Sequence, residues 1–265
     1  MTDSLKESYE EQGFCVVRQV VSPAETEGLR GEVERIAVEY DLLSDDLKEN
    51  IVLLKDLSER QLGDLEPAEL GTVPYIIGAL PAFSPTFIRA ICQPKLWDAV
   101  KVVLECESLH YHFSNITMKP KHVGPKITWH RDYPNLYICP ETSEFTRALI
   151  CLDGMSRENG CTQVVKGSHR ISDEEARVGE RLRDRTFSPE QVQDIVCEPG
   201  DAVLLHPKTI HGGEPNRSDK NRRNLIVQLG CADATLTTDN AELFTGFGLA
   251  EMLAKPSAQP RHARA

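Results

Sequence analysis

The sequence has no CxxC pair among its eight cysteines, no stretch of 18 consecutive apolar residues and no excess of basic charge. The first absence argues against a paired-thiol metal or redox motif, and several cysteines instead sit in apolar runs such as Phe14-Cys15-Val16-Val17 and Ile150-Cys151-Leu152. They are expected to be reduced core thiols. The second excludes a membrane-spanning helix. The third concerns partners: 30 Lys and Arg stand against 41 Asp and Glu, a formal charge of -11 that repels a phosphate backbone, so nucleic acid is not an expected partner. The opening Met1-Thr2-Asp3-Ser4-Leu5-Lys6-Glu7 lacks the basic-then-apolar pattern of a secretory leader, and a cytoplasmic location is expected. No internal repeat is visible. With 40% hydrophobic and 27% charged residues, the composition excludes disorder, collagen and coiled coil as global descriptions.

What remains is an ordinary globular chain of 265 residues whose character changes part-way along. Gly13 to Val21 is a β-branched run followed by Ser22-Pro23-Ala24-Glu25, a capping box with proline at the first helical position. Leu29, Val33, Ile36, Ala37 and Tyr40 then follow a helical period, predicting a helix that ends near Tyr40. Residues 41–80 show no sustained period and read equally as a flexible covering segment or as a packed one. A second helix is predicted over Phe87 to Glu105, kinked or divided by Pro94. From Leu109 onward short apolar runs recur between turn residues: Leu109 to Met118, Ile127 to Trp129, Arg147 to Leu152, Thr162 to Val165, Ala202 to Leu205 and Asn224 to Leu229. Their spacing is that of a sandwich or barrel, with Ser172 to Asp194 as a charged, helical insertion. The expected architecture is mainly β with flanking helices: one domain over 1–255, a jelly-roll core at about 109–230, and a disordered tail at 256–265.

Chemistry is suggested at two places. His130 and Asp132 lie two positions apart at a strand end, so both side chains project from one face and can converge on an ion. His211, leading into Gly212-Gly213 after the strand Ala202 to Leu205, supplies a third candidate ligand. Two histidines and a carboxylate on one side of an ion leave the other positions open, the facial triad of non-haem Fe(II) oxygenases. The same set also holds zinc for hydrolysis, so the triad alone leaves the reaction open. Arg222 lies eleven residues after His211, where an antiparallel return strand brings it back toward the ion. Its planar fork suits the far carboxylate of a dicarboxylic cosubstrate.

Taken in order, Trp129-His130-Arg131-Asp132, Ala148 to Asp153, Glu158-Asn159-Gly160, Gly167-Ser168-His169-Arg170, Pro199-Gly200-Asp201, and His211-Gly212-Gly213 with Asn216-Arg217-Ser218 and Arg222-Arg223 resemble the phytanoyl-CoA dioxygenase family. The opening Glu11-Gln12-Gly13-Phe14 is similar to the family's start. The resemblance implies a double-stranded β-helix (a cupin-like jelly roll), an Fe(II)- and 2-oxoglutarate-dependent dioxygenase, and O2 as second cosubstrate. Decarboxylation of 2-oxoglutarate to succinate and CO2 would accompany oxidation of a C–H bond. By position, His130, Asp132 and His211 bind iron and Arg222 binds the C5 carboxylate of 2-oxoglutarate, with Thr117 and Asn115 as equal candidates for a further cosubstrate contact. Lys119-Pro120 matches a Lys-Pro of ectoine hydroxylase-like members.

Three departures from the family pattern are visible: Arg131 stands where glutamine is common, Lys166 where proline is common, and Gly213 where a hydroxyl often assists the arginine. Because Asp132 is present, no position is vacated for a halide, and halogenation is not expected. Lys119, Lys121, Lys126 and Arg131, with Lys166, His169 and Arg170 further on, hint at an anionic small-molecule substrate, although a lysine-decorated strand edge reads the same way. Tyr133, Asn135 and Tyr137 are candidates for lining its pocket, with Lys119 and Arg131. A zinc-dependent hydrolase and a non-catalytic metal-binding jelly roll stay open at this point.

Overall fold

The computed structural model describes residues 2–62, 70–135, 137–178, 182–237 and 241–255. The expected tail at 256–265 lies outside them.

The first half is helical, with short strands let into it. Helix α1 (Thr2–Gln12) leads into strand β1 (Phe14–Val17), and α2 (Pro23–Val38) opens on the capping box read from the sequence. There Ser22 Oγ accepts from Glu25 N at 3.3 Å, and Glu25 Oε2 accepts from Ser22 N at 2.8 Å. A 3₁₀ turn at Tyr40–Leu42 takes over where the helix had been expected to run to Tyr40. The short helix α3 (Asp45–Lys48), strand β2 (Ile51–Leu53), helix α4 (Glu59–Leu62) and strand β3 (Pro74–Gly78) follow. Pro94 divides rather than kinks the next helical stretch: α5 (Pro85–Ile91) and α6 (Pro94–Leu104) are separate, each with proline in its first turn where no amide donor is required.

The β-rich half contains β4 (Leu109–Lys119), β5 (Ile127–His130), β6 (Phe145–Cys151), β7 (Gln163–Val165), α7 (Asp173–Val178), β8 (Val192–Asp194), β9 (Ala202–Leu205), β10 (His211–Gly213), β11 (Arg222–Cys231) and α8 (Leu249–Ala254). The strands form two antiparallel sheets. The larger runs β1-β9-β6-β11-β4-β3-β2 and the smaller β5-β10-β7-β8. Their stacking makes the jelly roll expected from the strand spacing.

Two details differ from the sequence reading. The covering segment 41–80 contributes β2 and β3 to the edge of the large sheet, Ile76 pairing with Thr117. The expected helical insertion Ser172 to Asp194 is α-helical at its start and carries a 3₁₀ turn at Leu182–Asp184, but its end, β8, pairs with β7. Both arise from non-local pairing, because a three-residue strand carries too little pattern to declare itself.

Alternation along β6 shows how the layers meet. Ala148 and Ile150 join a core with Leu29, Ile36, Leu96 and Val100 of the helices, whereas Leu149 and Cys151 face the small sheet with Val164 and Phe14. Each fully buried aliphatic chain in these clusters contributes about 1.5–3 kcal/mol of transfer free energy. The large sheet is therefore apolar on its helix side, while its other side is free to carry polar groups into the sandwich.

Candidate metal centre

The inner face of the large sheet carries charge where an apolar core would be the default. Its central strands bring Arg222 opposite Lys119, Asn224 opposite Thr117 and Gln228 opposite Phe113 on β11 and β4, and Arg147 of β6 opposite Gln228. Across from it, β5 ends at His130 and β10 begins at His211, and these two residues are direct pairing partners. The chain then turns at Asp132, whose amide donates to Pro207 O at 2.9 Å.

Candidate ligand atoms of His130, Asp132 and His211 all lie within 4.8 Å of one another. His211 Nε2 is 3.7 Å from Asp132 Oδ2, and His130 Nε2 is 3.9 Å from Asp132 Oδ1. Each imidazole is oriented from behind: His130 Nδ1 donates to Thr128 O at 2.9 Å and His211 Nδ1 to Thr209 O at 3.0 Å. A carbonyl only accepts, so the proton resides on Nδ1 and the Nε2 lone pair faces the centre. Burial pushes the His211 pKa down to about 4, with His130 acting in the same direction, so His211 is neutral at neutral pH, as a ligand must be. Burial alone would raise the Asp132 carboxyl, but the Arg147 guanidinium and the two imidazoles outweigh it and hold it below the usual carboxylate range. Asp132 Oδ2 is buried without a partner. A buried anionic oxygen between two inward lone pairs is a donor set that fits a divalent ion.

Arg222 is 2% exposed, its Nε has no partner, and its Nη2 donates to Gly160 O at 3.5 Å. With the Asn224 amide in its better-satisfied orientation, its oxygen accepts from Arg222 Nη1 at 3.0 Å. Opposite it, fully buried Lys119 donates to Gly160 O at 3.0 Å and to Glu214 O at 2.5 Å. Burial, reinforced by Arg222, pushes the Lys119 pKa down to about 6. On these paired positions a buried guanidinium and a buried amine that its surroundings hold largely neutral, with no carboxylate between them among the described residues, suit an anion, whose charge would favour the protonated Lys119 again. Gly213 makes this possible. A Cβ there would lie 3.0 Å from Lys119 Nζ and 2.7 Å from Cys161 O, so the absent side chain leaves room for the ammonium group.

The other sequence candidates fall in different places. Thr117 and Asn115 are half-buried on the same inner face, Thr117 Oγ1 donating to Asn115 Oδ1 at 3.1 Å. Arg131 and Tyr133 line a cleft of about 650 Å³ beside His130, although Arg131 Nε also donates to Lys208 O at 2.8 Å and the Tyr133 hydroxyl to Glu141 O at 2.7 Å. Asn135 ties its own turn, donating to Asp132 O and accepting from Tyr137 N at 2.8 Å. Tyr137 is 46% exposed and donates to Glu242 at 2.9 Å. Among the motif residues outside the centre, Asp153 binds Arg223 at 2.7 Å and Asp201 binds Arg18 at 2.6 Å, both holding the framework together. Arg147 was not anticipated. Its one sequence signal was a charge inside the otherwise apolar strand Phe145–Cys151.

A model of the family described as "Phytanoyl-CoA dioxygenase (PhyH)" matches residues 9–224, a span that holds the triad, Lys119 and Arg222. The chain belongs to the phytanoyl-CoA dioxygenase family. Its relatives include the peroxisomal phytanoyl-CoA dioxygenase of Mus musculus, 24% identical over 247 residues, covering 88% of this chain and 69% of the mouse protein. Ectoine dioxygenase of Bordetella parapertussis is 26% identical over 255 residues, covering 87% of this chain and 75% of that protein. Among solved structures, iron-bound EctD from S. alaskensis superposes with a TM-score of 0.70 at 19% identity, covering 92% of this chain and 83% of EctD. The carbocyclase SnoK from nogalamycin biosynthesis gives 0.69 at 22%, covering 89% and 86%. At these identities the superpositions establish the shared jelly roll. As a PhyH-family member carrying the HxD…H facial triad, the chain is a non-haem Fe(II)- and 2-oxoglutarate-dependent dioxygenase. The zinc hydrolase left open by the triad alone gives no role to a buried Arg222 with an unpartnered Nε.

Proposed function

We propose that this dioxygenase oxidises a C–H bond of a small anionic metabolite. Iron loaded with 2-oxoglutarate and O2 supplies the oxidation, with release of succinate and CO2. In this reading His130, Asp132 and His211 hold the iron. Arg222 receives the C5 carboxylate with Lys119 beside it, and Thr117 and Asn115 lie further along the same sheet face. The family's frequent hydroxyl helper is replaced by Lys119, which occupies the space above Gly213.

The observation that carries the substrate class is the lining of the cleft next to His130. Five cationic residues, Arg60, Lys126, Arg131, Arg177 and Arg183, contribute to it, and no carboxylate does among the described residues. In a chain of formal charge -11 this is a local inversion of sign, which concentrates anions at the cleft mouth. Arg60 and Lys126 are paired outward with Asp184 and Glu214. Arg177, which also donates to Glu141 O and lies over the Tyr133 ring, and Arg183 are the cations we assign to substrate, with Arg131 and Tyr133 nearer the centre. Ser58, Arg60, Gln61 and Tyr75 form part of the same wall, so the covering segment borders the substrate's entrance.

The relatives' names, among them phytanoyl-CoA, ectoine and hypophosphite dioxygenases, span unlike substrates and do not choose among anions. Eight free cysteines support a reducing, cytoplasmic setting. Among the described residues no helix is long and apolar enough to cross a membrane. Matched pairs of metabolites, each free acid beside its primary amide, should be screened for accelerated succinate release. Acids should accelerate release and their amides should not. Equal acceleration by the amides would overturn the anionic assignment while leaving the dioxygenase intact.

A further inference from the structure

The two oxygens of Asp132 are not equivalent. Oδ2 is buried with no protein partner, whereas Oδ1 accepts a short hydrogen bond from Arg147 Nη1. Arg147 is itself restrained on two further sides: its Nε donates to Gln228 Oε1 at 3.2 Å and its guanidinium lies 5.2 Å from the centroid of the Phe113 ring. Gln228 is fixed in turn, its Nε2 donating to Ile138 O at 2.8 Å and to His112 Nδ1 at 3.0 Å. Arg147, Gln228 and Phe113 are register partners on three adjacent strands, so a single row of the large sheet builds this support.

The histidines need no such device, since the backbone of the Thr128 and Thr209 segments orients them from the small sheet. Asp132 sits past the end of β5, where no strand ladder fixes its side chain. We propose that Arg147, braced by Gln228, is a positioning residue for the metal centre: it engages Oδ1 and turns Oδ2 toward the ion. With Oδ1 engaged, the carboxylate offers one oxygen, which leaves the remaining coordination positions for the cosubstrates. A packing role alone would have been met by an aliphatic chain against Phe113. The Arg147 side chain is only 18% exposed, and the desolvation that its guanidinium bears is offset by a directed partner. The inference rests on the triad as the metal site and not on the substrate class.

Calorimetric titration of the apoprotein with Mn(II), without substrate, tests it. Arg147→Met should weaken Mn(II) binding about 10- to 100-fold, the usual effect of removing a group that orients a metal ligand. Arg147→Lys, which keeps the charge, should recover part of that loss. Gln228→Leu touches neither Asp132 nor the ion and should weaken binding less, in the same direction, which keeps the test available if Arg147→Met fails to fold. Mn(II) affinity within twofold of wild type, or tighter, in a folded Arg147→Met or Gln228→Leu protein would overturn the proposal, even if the melting temperature of the apoprotein fell. Asp132→Ala, measured alongside, tests the triad separately, because retained Mn(II) binding there would remove the metal site itself.

Discussion

Replacing Arg222 by methionine separates the cost of a functional charge from its use. The guanidinium is 2% exposed and faces Lys119 across the β4–β11 pair, with no carboxylate hydrogen-bonded to it. In the apoprotein it is a buried cation beside an amine that burial holds largely neutral, and exchange of buried charge for apolar volume is neutral or stabilising by about 1–4 kcal/mol. The Arg222→Met apoprotein should therefore melt at or above the wild-type temperature. Binding of 2-oxoglutarate should move the other way. Removing one partner of a desolvated charge pair costs about 3–5 kcal/mol, and because Lys119 remains, the lower end applies, about a 10²-fold loss of affinity. Thermal melts of the Mn(II)-loaded protein over a 2-oxoglutarate titration read both quantities, and succinate release should show the raised cosubstrate requirement with metal affinity much less affected. An apoprotein destabilised by more than about 2 kcal/mol, with cosubstrate affinity unchanged, would make Arg222 an ordinary framework cation and refute the reasoning.

Three other outcomes are expected. Asp132→Ala and His211→Ala should each abolish succinate release while leaving the far-ultraviolet circular dichroism spectrum intact, and wild-type turnover in either variant would remove that residue from the centre. Gly213→Ser places a Cβ 2.7 Å from Cys161 O and 3.0 Å from Lys119 Nζ. It should cost about 1–3 kcal/mol in urea unfolding and raise the 2-oxoglutarate requirement, and an unchanged midpoint with an unchanged requirement would contradict the crowding described. Burial depresses His112 to about 4 and His206 to about 3. Between those values and the unfolded value near 6.5, the unfolded chain binds more protons, so stability is full above pH 6.5 and falls as pH drops. The two groups together should remove about 3 kcal/mol between pH 6.5 and 5, and a flat urea midpoint over that range would show that these imidazoles titrate normally in the fold.

Local chemistry was legible in the chain, and distance across the fold was not. The Ser22 capping box, the break at Pro94 and the strands from Leu109 onward rest on neighbours within a few residues, and the structure places them close to where the pattern does. His130 and Asp132 were readable for the same reason. Helix α1 went unseen because Thr2–Gln12 is largely polar and is held by packing of residues such as Tyr9 in a core built from later segments. Strands β2, β3 and β8 take their form from partners elsewhere. The meetings of Lys119 with Arg222 and of Arg147 with Asp132 depend on cross-strand register, which a single sequence does not declare.

The walls of the centre are contributed by separable stretches of chain. Arg222 and Lys119 lie on long central strands whose neighbours on both sides fix their spacing, whereas Arg177, Arg183 and the start of helix α4 sit on short peripheral segments. On the proposed reading, remodelling those outer segments should alter what is admitted while leaving the Arg222 end of the site in place. On such a scaffold the choice of guest is set at the rim, apart from the long strands beneath.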